Sequence, residues 1–245
     1  MMIFHHRQRN IDNLKLNLFI NGTCIEQVNE FNFLGIMLDK NLSWNAHSQK
    51  ISCKISIVNG ILNRLKRFLP AEILKTIYNA LIQPHLNYGI LLWGRNTKRI
   101  RKLQKWAIRS ITCSKYNAHT DPLFIKLKLL KIDDIYKLNL LKFYFKYNQK
   151  LLPNYFNGMF DPTYVNHDHD TRQSGQPVVA SPKTSLAENS IRYILPNLIA
   201  KTNAAITEKL CTHSFIGFSN YVKQFFISQY VSTCSVENCY VCNQN

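Results

Sequence analysis

The chain has 245 residues, 46% of them hydrophobic, with 14 Phe and 12 Tyr; that composition supports a sizeable core and excludes global disorder. Against 14 Asp and Glu stand 31 Lys and Arg, a formal net charge of +17 that opposes compaction unless a polyanion relieves it. No run of about 18 apolar residues could cross a membrane and no secretory leader follows Met1. Seven cysteines at irregular spacing speak for reduced thiols in an intracellular setting, nuclear or cytoplasmic.

The first forty residues read as β-structure. Leu14, Leu16, Leu18 and Ile20 alternate, Asn21-Gly22 follows, and Thr23 to Val28 forms a second run. Asn-Gly between two such runs predicts a tight hairpin. A third run, Phe31 to Leu38, is expected to add another strand.

Helical spacing then takes over. Ser43 is a candidate N-cap for a long helix reaching Leu69, with Ile51, Ile55, Val58, Leu62 and Leu65 on one face. Pro70 breaks it and introduces a second helix, Ala71 to Gln83. A further helical segment after Pro84 runs to Trp93, with Gly94 ending it. From about Thr97 to Thr112, Ile100, Leu103, Ala107 and Ile111 make an apolar stripe. Lys98, Arg101, Lys102, Lys105 and Arg109 make a second, basic stripe displaced around the same helix. Asp121-Pro122 opens two more helical stretches, Leu123 to Leu129 and Asp133 to Gln149.

Residues 161 to 185 are rich in Asp, His, Thr, Ser, Gly and Pro and read as a linker or long surface loop. Shorter elements follow: Ser190 to Leu195, a helix led by Pro196, and an amphipathic helix from Phe215 to Tyr230. The expected organisation is therefore 1–42 strands, 43–160 helical domain, 161–187 linker and 188–245 carboxyl-terminal region. The fold class is mainly α (α+β).

The order of several short motifs carries more than any one of them. Phe33-Leu34-Gly35-Ile36-Met37-Leu38-Asp39 precedes Leu42-Ser43-Trp44 and His47. Tyr78-Asn79-Ala80-Leu81-Ile82-Gln83-Pro84-His85-Leu86-Asn87-Tyr88-Gly89, Trp93-Gly94 and Leu103-Gln104-Lys105-Trp106-Ala107-Ile108-Arg109 follow. Later come His169-Asp170-Thr171-Arg172, Ser190-Ile191-Arg192-Tyr193 and the terminal cysteines. This series resembles the region after the catalytic palm in reverse transcriptases of non-LTR (LINE-type, jockey-like) retrotransposons. The resemblance implies that Leu34 and Gly35 lie in a palm-edge strand supporting the primer terminus. It implies that residues 43 to 112 form a thumb gripping the template–primer duplex.

In that family, paired Asp residues upstream of the Leu-Gly strand hold the catalytic Mg²⁺ ions. Asp12, Glu26 and Glu30, the carboxylates before Phe31, match no such motif, and two-metal chemistry needs clustered carboxylates. Asp133-Asp134 reads as negative charge at a helix N-terminus. The expectation is a fragment of an RNA-directed DNA polymerase, inactive by itself, whose partners are template–primer duplex and the missing palm and fingers.

Between Lys40 and Lys115 there are fifteen Lys and Arg and one acid, Glu72. Solvated helices generally mix signs, so this points to phosphate contact. Lys98, Arg99, Arg101, Lys102, Lys105 and Arg109 are the first candidates, and Lys50, Lys54, Arg64, Lys66 and Arg67 on the preceding helix the second. Trp44, Tyr78, Tyr88, Trp93 and Trp106 could stack on bases, although helical spacing favours core packing. Cys234, Cys239 and Cys242 carry zinc-like spacing, with Cys211 and His213 as further ligand candidates for Zn²⁺. His167-Asp168-His169-Asp170 reads as a polar turn. A second class of function fits the same basic helices, a non-enzymatic protein that binds RNA, DNA or an acidic protein surface. A third reading is a reading frame without a selected role.

Overall fold

The computed structural model describes residues 1–5, 16–160, 182, 184–202, 206, 209–210 and 213–231. It is mainly helical behind two small antiparallel hairpins. In the first hairpin β1 (Phe19–Ile20) pairs with β2 (Thr23–Cys24) across Asn21-Gly22, both with positive φ, as the Asn-Gly signal predicts. Leu14 lies outside the described residues.

The expected single strand Phe31 to Leu38 is instead a second hairpin. In it β3 (Glu30–Phe33) pairs with β4 (Ile36–Asp39), Phe33 opposite Ile36. Leu34 (φ 47°) and Gly35 (φ 83°) form the turn. A two-residue hairpin loop of type I′ needs positive φ at both positions; glycine adopts it freely, whereas leucine does so only when neighbours hold it. Residues 1–5 tie the two hairpins together, since Val28 N–H donates to Met1 O (2.9 Å) and His5 N–H donates to Lys40 O (3.1 Å).

The first helix, α1 (Asn45–Leu65), is not capped by Ser43. Trp44 occupies the N-cap position in a left-handed conformation with no side-chain cap, and Asp39, at the end of β4, reaches forward to the residues that lead into the helix. Its carboxylate accepts from Ser43 N–H (2.9 Å) and Trp44 N–H (3.0 Å), which welds hairpin to helix. The helix also stops four residues short of Leu69, the chain tightening into a turn before Pro70.

Beyond Pro70 come α2 (Ala71–Leu81), α3 (Gln83–Asn87) and α4 (Ile90–Trp93). The expected continuous helix after Pro84 breaks at Gly89 (φ 60°), where an added Cβ would lie 2.6 Å from Ile36 Cδ1. Gly94 sits at the end of α4 with an ordinary φ of −63°. Space requires glycine there, because a Cβ would meet the Tyr136 ring at 2.3 Å.

The basic helix is α5 (Lys98–Ile111), followed by α6 (Asp121–Leu127) and the long α7 (Ile132–Asn148). After the short α8 (Ser185–Glu188), Ser190 to Lys201 forms one helix and not two: α9 (Ile191–Lys201) carries Pro196 inside it. Proline removes a hydrogen bond there, but Leu195, Pro196 and Ile199 are buried and packing holds the helix together. The last helix, α10 (Phe215–Ser228), is capped by Ser214, whose Oγ accepts from Gly217 N–H.

Helices α1, α5 and α7 frame a single buried cluster that includes Ile55, Leu62, Tyr78, Trp93, Ile108, Phe124, Leu141 and Phe218. Helices α9 and α10 pack on α7 and share this core. Gln104 is its polar hub: its amide donates to Tyr78 Oη (2.9 Å) and Leu130 O (2.9 Å) and accepts from Ile132 N–H (2.8 Å). With its three bonds made, the buried amide costs little and locks α5 to α2 and α7.

Candidate nucleic-acid interface

Three contacts define how α1 and α5 lie. Near their starts Ser48 Oγ donates to Asn96 O (3.1 Å), and midway Asn59 Nδ2 donates to Leu103 O (2.9 Å). Near their ends Cys113 Sγ approaches Lys66 O at 3.7 Å. The two helices therefore run in the same direction, side by side, as one layer over the core.

The 3.6-residue period sorts the side chains of α5. Ile100, Ala107 and Ile111 are buried as expected, Leu103 is half-buried, and Gln104 and Ile108 join the buried face. One flank turns toward α1: Arg99 donates to Gln49 Oε1, and Trp106 lines a cavity with Asn63. The opposite flank bears Arg101, which binds Asp133 through two nitrogens, Nε to Oδ2 and Nη2 to Oδ1, both at 2.7 Å. That carboxylate also accepts from Thr97 Oγ1 (2.9 Å), and it pushes the Arg101 pKa up. Arg101 thus belongs to the joint between α5 and α7. Arg109 is half-buried, its Nε donating to Ala118 O (2.9 Å), and burial lowers its pKa.

Lys98, Lys102 and Lys105 remain. They share the outer face of α5, and among the described residues they have no ion-pair or hydrogen-bond partner. The α1 candidates divide. Lys50, Lys54 and Arg64 recur with the exposed Ile57 and Ile61 on the flank turned away from α5, whereas Arg67 is exposed in the turn after the helix. The basic candidates therefore reduce to two rows, Lys98, Lys102 and Lys105 on α5 and Lys50, Lys54 and Arg64 on α1, with Arg99 in the seam between the helices.

Lys50 and Lys54 line a cavity of about 340 Å³ beside the second hairpin, together with Gly35, His47, His85 and Tyr88. Lys50 Nζ bonds Asn32 Oδ1 (3.2 Å) and Gly35 O (3.5 Å), and Tyr88 Oη donates to Leu34 O (2.5 Å). These bonds hold the strained turn and present Leu34, 74% exposed, at its tip. His47 is buried; its Nδ1 accepts from Met37 N–H (3.2 Å). Burial, then Lys50 and Lys54, lower its pKa; burial and Lys54 do the same to His85. Both rings are neutral near pH 7, so the lysines are the cations of this cavity.

Of the aromatic candidates, Tyr78 and Trp93 are buried, and Trp44 is half-buried against the core. Tyr88 is spent on the turn. Trp106 reaches the surface, 43% exposed, and Tyr116, which the sequence does not single out, is 88% exposed beside it. Cys211, Cys234, Cys239, Cys242 and residues 167–170 lie outside the described residues. His213 faces the Tyr221 ring, and among the described residues no three His, Cys, Asp or Glu side chains form a metal-binding group. No helix among them is long and apolar enough to cross a membrane.

A probable RNA-directed DNA polymerase from transposon BS of Drosophila melanogaster is 28% identical over 123 residues, 47% of this chain. The RNA-directed DNA polymerase from mobile element jockey of Drosophila funebris is 27% identical over 123 residues, again 47% of this chain. A probable RNA-directed DNA polymerase from transposon X-element of Drosophila melanogaster is 26% identical over 125 residues, 48% of this chain. The chain resembles a fragment of a retrotransposon RNA-directed DNA polymerase. It spans only 14%, 13% and 14% of those three polymerases' lengths. No protein-family model matches the chain, and no solved structure does.

Proposed function

We propose that this polymerase-like fragment holds a template–primer duplex by its backbone phosphates along the outer face of α1 and α5, as a thumb does. The observation that carries this reading is the row Lys98, Lys102 and Lys105: cations at helical spacing on one face, the first two exposed and Lys105 half-buried, without an acidic partner among the described residues. Such a row recognises phosphate charge and not base identity. The turn Leu34-Gly35, braced by Lys50 and Tyr88, fits a support for the primer end adjoining that face. The polymerisation chemistry, with its Mg²⁺ ions, would reside on carboxylates outside this sequence.

The N-terminal hairpins support a second part of the proposal, docking against the remainder of a polymerase. Phe19, Ile20, Phe31 and Phe33 are 64%, 63%, 53% and 56% exposed. Short hairpins showing that much apolar surface are aggregation-prone unless another sheet or domain covers them. The test of the duplex grip is binding of the purified chain to an RNA–DNA hybrid across a salt series. The expected log–log slope is about −3 or steeper, close to one unit per phosphate released from counterions. Salt-independent binding, or none, overturns the reading.

A further inference from the structure

At the shared C-terminal end of α1 and α5 lies a second cavity, about 360 Å³, lined by Asn63, Lys66, Trp106, Arg109, Ser110, Ser114 and Tyr116. That volume falls at the small end of the roughly 300–1,000 Å³ typical of ligand sites. Its wall is built. Ser114 N–H donates to Arg109 O (3.0 Å), Ser114 and Thr112 share a hydroxyl bond (2.8 Å), and Arg109 Nε clamps Ala118 O. Cys113, in a left-handed conformation, leans on Lys66 O. These contacts fold residues 112–118 back over the helix ends and present Tyr116 next to Trp106.

The chemistry of the lining is selective. It contains two cations and no acid. Its two rings pack on no other aromatic ring among the described residues, and neither Trp106 Nε1 nor Tyr116 Oη has a protein hydrogen-bond partner there. Flat rings with adjacent cations fit a base with its phosphate. A purely apolar partner would leave Lys66 and Arg109 uncompensated, and a lone anion would leave the rings unused. Arg109 also belongs to the α5 candidates, so the cavity continues the basic face at its far end. On the proposed duplex grip, a strand leaving the duplex at that end would arrive there unpaired.

We propose that this cavity takes one unpaired nucleotide, its base on Trp106 and Tyr116 and its phosphate on Lys66 and Arg109. The proposal rests on the duplex grip for its position but not for its chemistry, and the two can fail separately. The full chain is titrated with a blunt RNA–DNA hybrid, the same hybrid with a short single-stranded tail, and the same tail lacking its bases. The natural tail is expected to tighten binding about ten-fold over the blunt hybrid, the abasic tail by no more than its added phosphates. Tyr116→Ala and Trp106→Leu are each expected to remove most of the gain that the bases supply. Tyr116 is so exposed that its variant decides the matter even if Trp106→Leu misfolds. Equal binding of natural and abasic tails, or a base-dependent gain that survives Tyr116→Ala, overturns the proposal while leaving a steep salt slope on the blunt hybrid intact. Weak blunt binding with a preserved base-dependent gain sinks the duplex grip and supports the cavity.

Discussion

Helices α5 and α7 are both rich in lysine, yet they use it in opposite ways. Around α7 the cations are engaged at home. Lys131 Nζ pairs with Asp121 (2.7 Å) and lies 4.2 Å from the Tyr230 ring centre, and Lys137 pairs with Asp134 (3.1 Å) and faces Phe226. Lys146 lies over Phe215, and Lys142 is half-buried, its pKa lowered by burial and then by Lys146 and Lys223. On α5, Lys98, Lys102 and Lys105 have none of this. A net charge of +17 is therefore divided between cations that hold the fold together and cations left for a partner. Pairing, not charge density, separates the two.

If that division is right, changes around α7 cost stability and changes on outer α5 cost binding. The largest stability effect belongs to Asp134, whose Oδ2 accepts from Tyr230 Oη (2.7 Å) and whose Oδ1 holds Lys137. Asp134→Ala leaves the O–H of the buried Tyr230, whose pKa burial already raises, without its acceptor, although its oxygen still accepts from Lys131 N–H. It is expected to lower unfolding free energy by about 2–3 kcal/mol, read from the urea midpoint.

Arg101→Gln is the sharper discriminator, because Arg101 sits on α5 but bonds to α7. Its ion pair is partly solvated, so the expected loss is about 0.5–1 kcal/mol of stability. The salt slope of hybrid binding should stay within about half a unit of the parent. A slope that falls by a full unit would place Arg101 among the phosphate contacts.

The smallest effect is a pH dependence at α1. Burial and the neighbouring lysines depress the His47 pKa below its ordinary 6.5. The unfolded chain therefore binds more protons as pH falls below that value, and the stability from burying the neutral ring drains away toward acid. Urea midpoints should be level above pH 7 and decline as the pH falls below about 6.5. His47→Gln keeps an acceptor for Met37 N–H and should flatten that decline; His85, also depressed, accounts for what remains.

Local chemistry made much of this legible from sequence. Asn21-Gly22 announces its turn, the apolar spacing of α1 and α5 locates most of their buried faces, and α7 lies within a residue of its expected ends. What escaped was tertiary. Phe31 to Leu38 reads as one strand because Leu34 is no ordinary turn residue; Tyr88, more than fifty positions away, holds its carbonyl. Ser43 does not cap α1; Trp44 takes the N-cap position, held there by the Asp39 carboxylate that β4 delivers to that helix end. The basic stripe of α5 was legible as charge but not as function. Only contact with Asp133, 32 residues on, removes Arg101 from it. Asp133 and Asp134 do occupy the first turn of α7, as their sign suggests, but bond to side chains of α5 and α10's C-terminal extension. Tyr116 gave no signal, since a lone tyrosine in a loop has no periodicity to betray it.

The measurement to make first is the salt slope of RNA–DNA hybrid binding for two charge-matched variants, with folding of each verified by its urea midpoint. One changes Lys98, Lys102 and Lys105 to Gln; the other changes Lys137, Lys142 and Lys146. The outer α5 variant should keep its stability within about 0.5 kcal/mol and lose about two to three units of slope. The α7 variant should keep its slope and lose stability. Equal slopes for the two variants would contradict the division, and with it the assignment of the duplex to the outer face of α5.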